Sequence, residues 1–160
     1  MIGAGQLLAV AASPSVTGGF TVEIRPRWHR LSLGLEGRGL LPVSGGTDGG
    51  RVWAHQLGGA LSPCVHIGPA SGCAVLTVGV MHVDSDELVH TSPVDVLGLG
   101  LGGRLAVDLE LISALGVRVF GEVLGQLNRA TLVSGTPPLE LWRQPAVSGV
   151  FGLMLTAQIR

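Results

Sequence analysis

The chain has 160 residues, ten basic side chains that are all arginine, eleven acidic ones and a net charge of −1, so it has room for one domain and no basic footprint for nucleic acid. Mean hydropathy is high at +0.51, yet Gly, Arg or Asp breaks each apolar run short of the roughly 18 residues a membrane helix needs. The 26 glycines and 9 prolines disfavour long helices, costing about 1 and 3 kcal/mol per interior position relative to Ala. Strands and turns are what remain.

Residues 1–13 are mildly apolar and end in Ala9-Val10-Ala11-Ala12, but they lack the basic n-region of a secretory signal. They are read as a first strand over residues 2–12, with an export signal expected upstream. After Gly18, the residues Phe20, Val22 and Ile24 alternate with Thr21, Glu23 and Arg25. Leu31, Leu33 and Leu35 then oppose Ser32, Gly34, Glu36 and Arg38. Such period-two alternation marks a strand with two unlike faces. Residues 53–61 alternate weakly.

Cys64 and Cys73 flank eight residues that include Gly68, Pro69 and Gly72, the composition of a turn. A disulfide closing that loop would restrict the unfolded chain by about 3 kcal/mol and would persist in an oxidising compartment such as the periplasm. The alternative is two buried free thiols. Residues 74–83 are nearly apolar throughout. The cleanest strand follows, with Leu97, Leu99, Leu101, Leu105 and Val107 opposite Gly98, Gly100, Gly102, Arg104 and Asp108. Val117, Val119 and Val123 face away from Arg118, Glu122 and Gln126, although Phe120 and Leu124 fall on the polar side. The last strand sets Phe151, Leu153, Leu155 and Ile159 against Gly152, Thr156, Gln158 and Arg160.

These segments make eight, each about the 9 to 11 residues that cross a bilayer when tilted, or longer where a strand projects beyond the membrane. The expected fold is all-β, a closed antiparallel up-and-down transmembrane β-barrel of about eight strands, formed by residues 1–160 as one domain with both termini in the periplasm. External connections are expected at 13–16, 42–50, 84–93 and 128–139, and periplasmic ones at 26–29, 64–73 and 110–114. The polar faces carry Glu23, Arg25, Glu36, Arg38, Arg104, Asp108, Arg118 and Glu122, four acids and four bases. Eight strands leave an interior just wide enough for side chains, so these residues are expected to pair and plug the lumen. The competing reading is a soluble antiparallel sandwich with one wet face. Trp28, Trp53 and Trp142 fall near strand ends, where membrane barrels carry aromatic girdles.

The sequence resembles small bacterial outer-membrane β-barrel proteins. The resemblance rests on Leu35-Glu36-Gly37-Arg38, on Ser62-Pro63-Cys64 leading to Cys73, and on Trp142-Arg143-Gln144-Pro145 before Val147-Ser148-Gly149. It implies an outer-membrane location and a barrel fold, and supplies no active site. Such barrels often end in an aromatic residue, whereas this chain ends Gln158-Ile159-Arg160.

No chemistry-bearing constellation stands out. His29, His55, His66, His82 and His90 are never spaced i, i+2 or i, i+4, and a fourth zinc ligand beside Cys64, His66 and Cys73 is missing. Asp84, Asp86 and Glu87 lack the spacing of a calcium loop. His90, Ser92 and Asp95 are the nearest approach to a hydrolase set, without a nucleophile motif. Gly98, Gly100, Gly102 and Gly103 do not open a helix, as a dinucleotide fingerprint would. The expectation is a non-enzymatic barrel without metal or cofactor, seated in a lipid bilayer and acting in surface interaction through its external loops or as a membrane anchor. A lipid- or small-molecule-binding barrel is the alternative, and a membrane-embedded lipid hydrolase the third.

Overall fold

A computed structural model describes residues 1–11, 16–47, 50–85, 94–128, 131–134 and 139–158, with side chains described for all of these except 43–54, 83–96 and 131–143. In chain order the strands are β1 (Ile2–Val10), β2 (Thr17–Ile24), β3 (Arg27–Trp28), β4 (Leu31–Thr47), β5 (Gly50–Ile67), β6 (Ala70–Ser85), β7 (Val94–Ile112), β8 (Leu115–Gln126), β9 (Thr131–Ser134), β10 (Leu139–Arg143) and β11 (Val147–Ala157). Eight of them form one closed antiparallel cylinder. Each strand pairs with its successor from β4 to β8, β8 pairs with β11, β11 with β1, β1 with β2, and the β2–β4 pairing completes the circuit. Closure removes the unpaired edges that an open sheet exposes.

The alternation seen in the sequence decides which face looks where. Its aliphatic side points out. One in-register row runs Ile2, Ile24, Leu35, Leu61, Leu76, Leu101 across six neighbouring strands, and all six side chains are exposed. Leu105 is 76% exposed and Phe151 61%. The side facing inward carries the buried arginines and carboxylates together with a smaller apolar set, Leu7, Ala9, Val75, Phe120, Leu124, Val150 and Met154. A sandwich with a dry aliphatic centre is therefore excluded.

Phe120 and Leu124, which blurred the alternation of β8, point into the lumen. The ambiguous phase of β1 has the same cause, because Leu7 and Ala9 are apolar and inward while Gln6 is polar and outward.

Three expectations about connections are corrected. Residues 64–73 are not a loop, since β5 runs through Cys64 to Ile67 and β6 starts at Ala70. The turn is only Gly68-Pro69, and Gly68 has φ +62°. Left-handed φ at the first central residue, followed by the ring-locked φ of proline, is the pattern of a type II′ hairpin turn, whose twist matches that of the strands. All three connections at this end are therefore short. Residues 42–50 continue the β4–β5 ladder as far as Thr47 opposite Gly50. The segment expected as a loop over 128–139 carries β9, which pairs with β10 in a separate two-stranded sheet.

Strands β1 and β11 have 9 and 11 residues, within the expected bilayer-crossing length, and β4 to β7 are of the longer, projecting kind. They have 17, 18, 16 and 19, so at about 3.3 Å per residue they project well beyond the apolar girth on the side away from the termini. There Asn128 extends the end of β8. Its Oδ1 accepts from Leu99 N at 2.7 Å, and its Nδ2 donates to Leu97 O, so a side-chain amide continues the ladder.

Candidate functional site: an ion-paired lumen

Two strands on one wall of the barrel each carry a Glu-x-Arg pair: Glu23 and Arg25 on β2, Glu36 and Arg38 on β4. Because alternate residues share a face, both members of each pair point inward. Arg25 Nε donates to Glu23 Oε1 at 2.9 Å, and Arg38 Nε to Glu36 Oε1 at 3.0 Å. The registers place Glu23 directly opposite Glu36, a like-charge contact that the two arginines offset.

The opposite wall uses cross-strand pairs. Arg104 of β7 stands opposite Glu122 of β8, and Asp108 opposite Arg118. Arg104 Nε and Nη2 both donate to Glu122 Oε2, at 2.9 and 2.7 Å, and Arg118 Nη2 donates to Asp108 Oδ2 at 2.8 Å.

Three ion pairs then span the lumen between the walls. Arg38 donates from Nη1 and Nη2 to the two oxygens of Glu122 at 2.7 and 2.8 Å, the bidentate geometry in which Arg–carboxylate contacts are strongest. Arg104 Nη2 reaches Glu36 Oε2 at 2.7 Å, and Arg118 Nη1 reaches Glu23 Oε2 at 3.3 Å. Thr21 Oγ1 donates to Glu36 Oε1 at 2.6 Å. All eight inward charges thus belong to linked clusters. The guanidinium groups of Arg104 and Arg118 have no side-chain exposure, and neither have the carboxylates of Glu36 and Glu122.

The neighbouring residues make room for this network. A Cβ on Gly34 would collide with Ser62 and Glu23 and crowd Arg25, and one on Gly152 would enter the Phe120 ring. Phe120 in turn lies 4.3 Å beneath the Arg104 guanidinium carbon, within cation–π range. Towards the termini, His66 Nε2 shares a 2.7 Å hydrogen bond with Ser32 Oγ, and Cys64 and Cys73, both inward, form a disulfide across directly opposed positions of β5 and β6.

On the far side of the ionic layer a cavity of about 60 Å³ is lined by Arg38, Gln56, Thr77, Gln126, Gln144 and Ser148 together with Leu7 and Leu124. At about 10–15 Å³ per water centre it has room for a few waters, far below the roughly 300 Å³ at which small-molecule pockets begin.

The remaining residues singled out from sequence are dispersed. Trp28 is exposed beside the turn at the terminal end. Trp53 pairs with Ser44 and Asp84 towards the opposite end. Trp142 pairs with Leu132 in the β9–β10 hairpin and so does not end a barrel strand. Asp86, Glu87, His90 and Ser92 lie outside the described residues. Among the described residues no three His, Cys, Asp or Glu side chains gather as a metal site. One pairing was missed: His55 and His82 are directly opposed on β5 and β6, with ring centres 5.2 Å apart. Spacing within one strand cannot reveal a partner on the next.

These features define a class: a small closed antiparallel barrel with its aliphatic side chains outside and its ions inside. No protein-family profile and no curated protein matches the sequence. Solved structures do. Neisserial surface protein A (NspA) superposes with a TM-score of 0.59 at 12% identity, covering 99% of this chain and 94% of that one. Ail, the attachment invasion locus protein of Yersinia pestis, superposes at 0.62 with 11% identity, covering 96% and 93%. Ail in complex with the heparin analogue sucrose octasulfate superposes at 0.57 with 11% identity, covering 96% and 94%. At such identities the likeness establishes the fold, an eight-stranded antiparallel barrel spanning nearly the whole chain.

Proposed function

We propose that this chain is a non-enzymatic bacterial outer-membrane barrel whose ionic lumen is a plug and whose extended far-end strands and hairpins meet ligands at the cell surface. The observation that carries the reading is the reversal of polarity: exposed leucine, isoleucine, valine and phenylalanine around the girth, and fully buried arginines at the axis. In water the exterior would be a continuous apolar patch far beyond the few hundred Å² a soluble monomer tolerates. In hydrocarbon it is the matching surface, and a closed barrel leaves no backbone group unpaired.

The test is fractionation and gel mobility. The protein should partition with outer membranes, need detergent for extraction, and migrate differently on gels before and after boiling. A monodisperse, detergent-free monomer would overturn the reading.

The nature of the surface ligand is constrained by charge. The sequence segments 47–53, 84–95 and 128–143 hold Arg51, Arg129 and Arg143 against Asp48, Asp84, Asp86, Glu87, Asp95 and Glu140, an acidic balance. The sulfated sugar bound by Ail therefore does not suit this chain, and retention on immobilised heparin at physiological salt is not expected. Neutral or cationic ligands fit better.

A further inference from the structure

We propose that His55 and His82 form a surface site for a divalent transition-metal ion of the zinc type on the outer face of the barrel. Both residues follow the outward parity of their strands: the next residues along the same faces, Leu57 and Val80, are exposed and directly opposed to each other. The two histidines thus sit one step beyond the last paired aliphatics of β5 and β6, at the far rim of the apolar girth.

Imidazole is the preferred neutral nitrogen ligand for such ions. Two rings bound at a tetrahedral angle, with metal–nitrogen bonds of about 2.0–2.1 Å, have their centres roughly 5 Å apart. The observed separation is 5.2 Å, with the ring planes inclined at 39°. Cross-strand neighbours have Cβ atoms only about 4.5–5.5 Å apart, and the barrel holds both backbones in place, so little ordering entropy opposes chelation.

The register adds an acidic position. His82 is directly opposite Asp95 on β7, so three adjacent strands bring the sequence His, His, Asp into one cross-strand line. A carboxylate is a common completing ligand, or a partner that orients a ligating histidine. Water can fill what remains of the coordination shell.

This site is separate from the lumen, where Cys64 and Cys73 are joined in a disulfide and so are not available as thiolate ligands.

Untagged protein refolded in detergent micelles is titrated with Zn²⁺ in competition with a chromophoric chelator. One equivalent is expected to bind at micromolar Zn²⁺, and His55→Ala and His82→Ala are each expected to weaken it at least about tenfold. Val80→Ala, on the same face but without a ligating atom, should bind as the parent does. Heat-modifiable mobility reports that each variant is folded. Zn²⁺ uptake only at millimolar concentration, alanine variants that bind like the parent, or a Val80→Ala loss as large as theirs would each overturn the proposal.

Discussion

Gly152, Phe120 and Arg104 form a stack in which each residue sets the position of the next. The missing side chain at Gly152 lets the Phe120 ring lie against the backbone, and the ring supports the guanidinium that binds Glu36 and Glu122. The other two phenylalanines repeat the arrangement on the outer surface, where Phe20 covers Gly39 and Phe151 covers Gly121 in directly opposed pairs. An aromatic ring over a cross-strand glycine restores the packing that the glycine lacks. Two outcomes follow at this scale. Gly152→Val should displace Phe120 and cost about 1–3 kcal/mol, the usual penalty for overfilling a packed interior. Arg104→Leu should cost more, about 3–5 kcal/mol, because Glu36 and Glu122 each lose a charged partner in a buried setting. Urea unfolding followed by gel mobility measures both. A change under about 0.5 kcal/mol for Arg104→Leu, the size typical of substitutions at ordinary surface positions, would mean that water carries the carboxylates and that the network has little weight.

The elements hold together through registers, and the β5–β6 hairpin has two devices fixing one register. Gly68 adopts a left-handed φ with nothing within 4 Å of its missing side chain, so Gly68→Ala meets only the conformational cost of about 1–2 kcal/mol. The disulfide locks the same ladder at the fourth pair from the turn, and Cys73→Ser should remove about 2–3 kcal/mol by freeing the unfolded chain. Chemical reduction of the parent should match the serine variant in the same unfolding assay. The two devices differ in how well sequence reveals them. Alternation exposed β2, β4, β7 and β11 because their two faces differ sharply. β1 was hidden because its part of the lumen wall is apolar, which removes the contrast between faces. Gly68, Pro69 and Gly72 together suggested a long turn, although a two-residue turn requires only the first two. The β9–β10 hairpin has strands of four and five residues, too short for a period to register. The ionic residues were legible one by one as inward, yet their partners across the lumen were not, since β4 meets β8 only after closure. His55 and His82 escaped notice because only the register between β5 and β6, not spacing within either strand, sets them opposite each other.

For the whole molecule, charge sorts by height along the barrel. Among the described residues, four arginines and four carboxylates sit inside; Arg27, Arg30 and Glu110 belong to the end with the termini; Arg51, Arg143, Asp84, Asp95 and Glu140 lie on strand segments at the other end. Between those ends the outward rows are aliphatic or glycine apart from a few positions such as Gln6, at the middle of β1, and Pro63. This distribution makes a prediction that separates lipid from water as the surrounding medium. An arginine placed outward near the middle of the girth, as in Leu101→Arg, should destabilise a barrel folded in a bilayer by about 2–4 kcal/mol, whereas Leu97→Arg, nearer the rim, should cost about 0–1 kcal/mol. Both leucines are exposed and on the same face of β7, so packing against the protein does not distinguish them. If water surrounded the barrel, both substitutions would be nearly neutral, as exposed changes usually are. Equilibrium unfolding in lipid vesicles provides the two free energies, and only a bilayer makes them depend on depth.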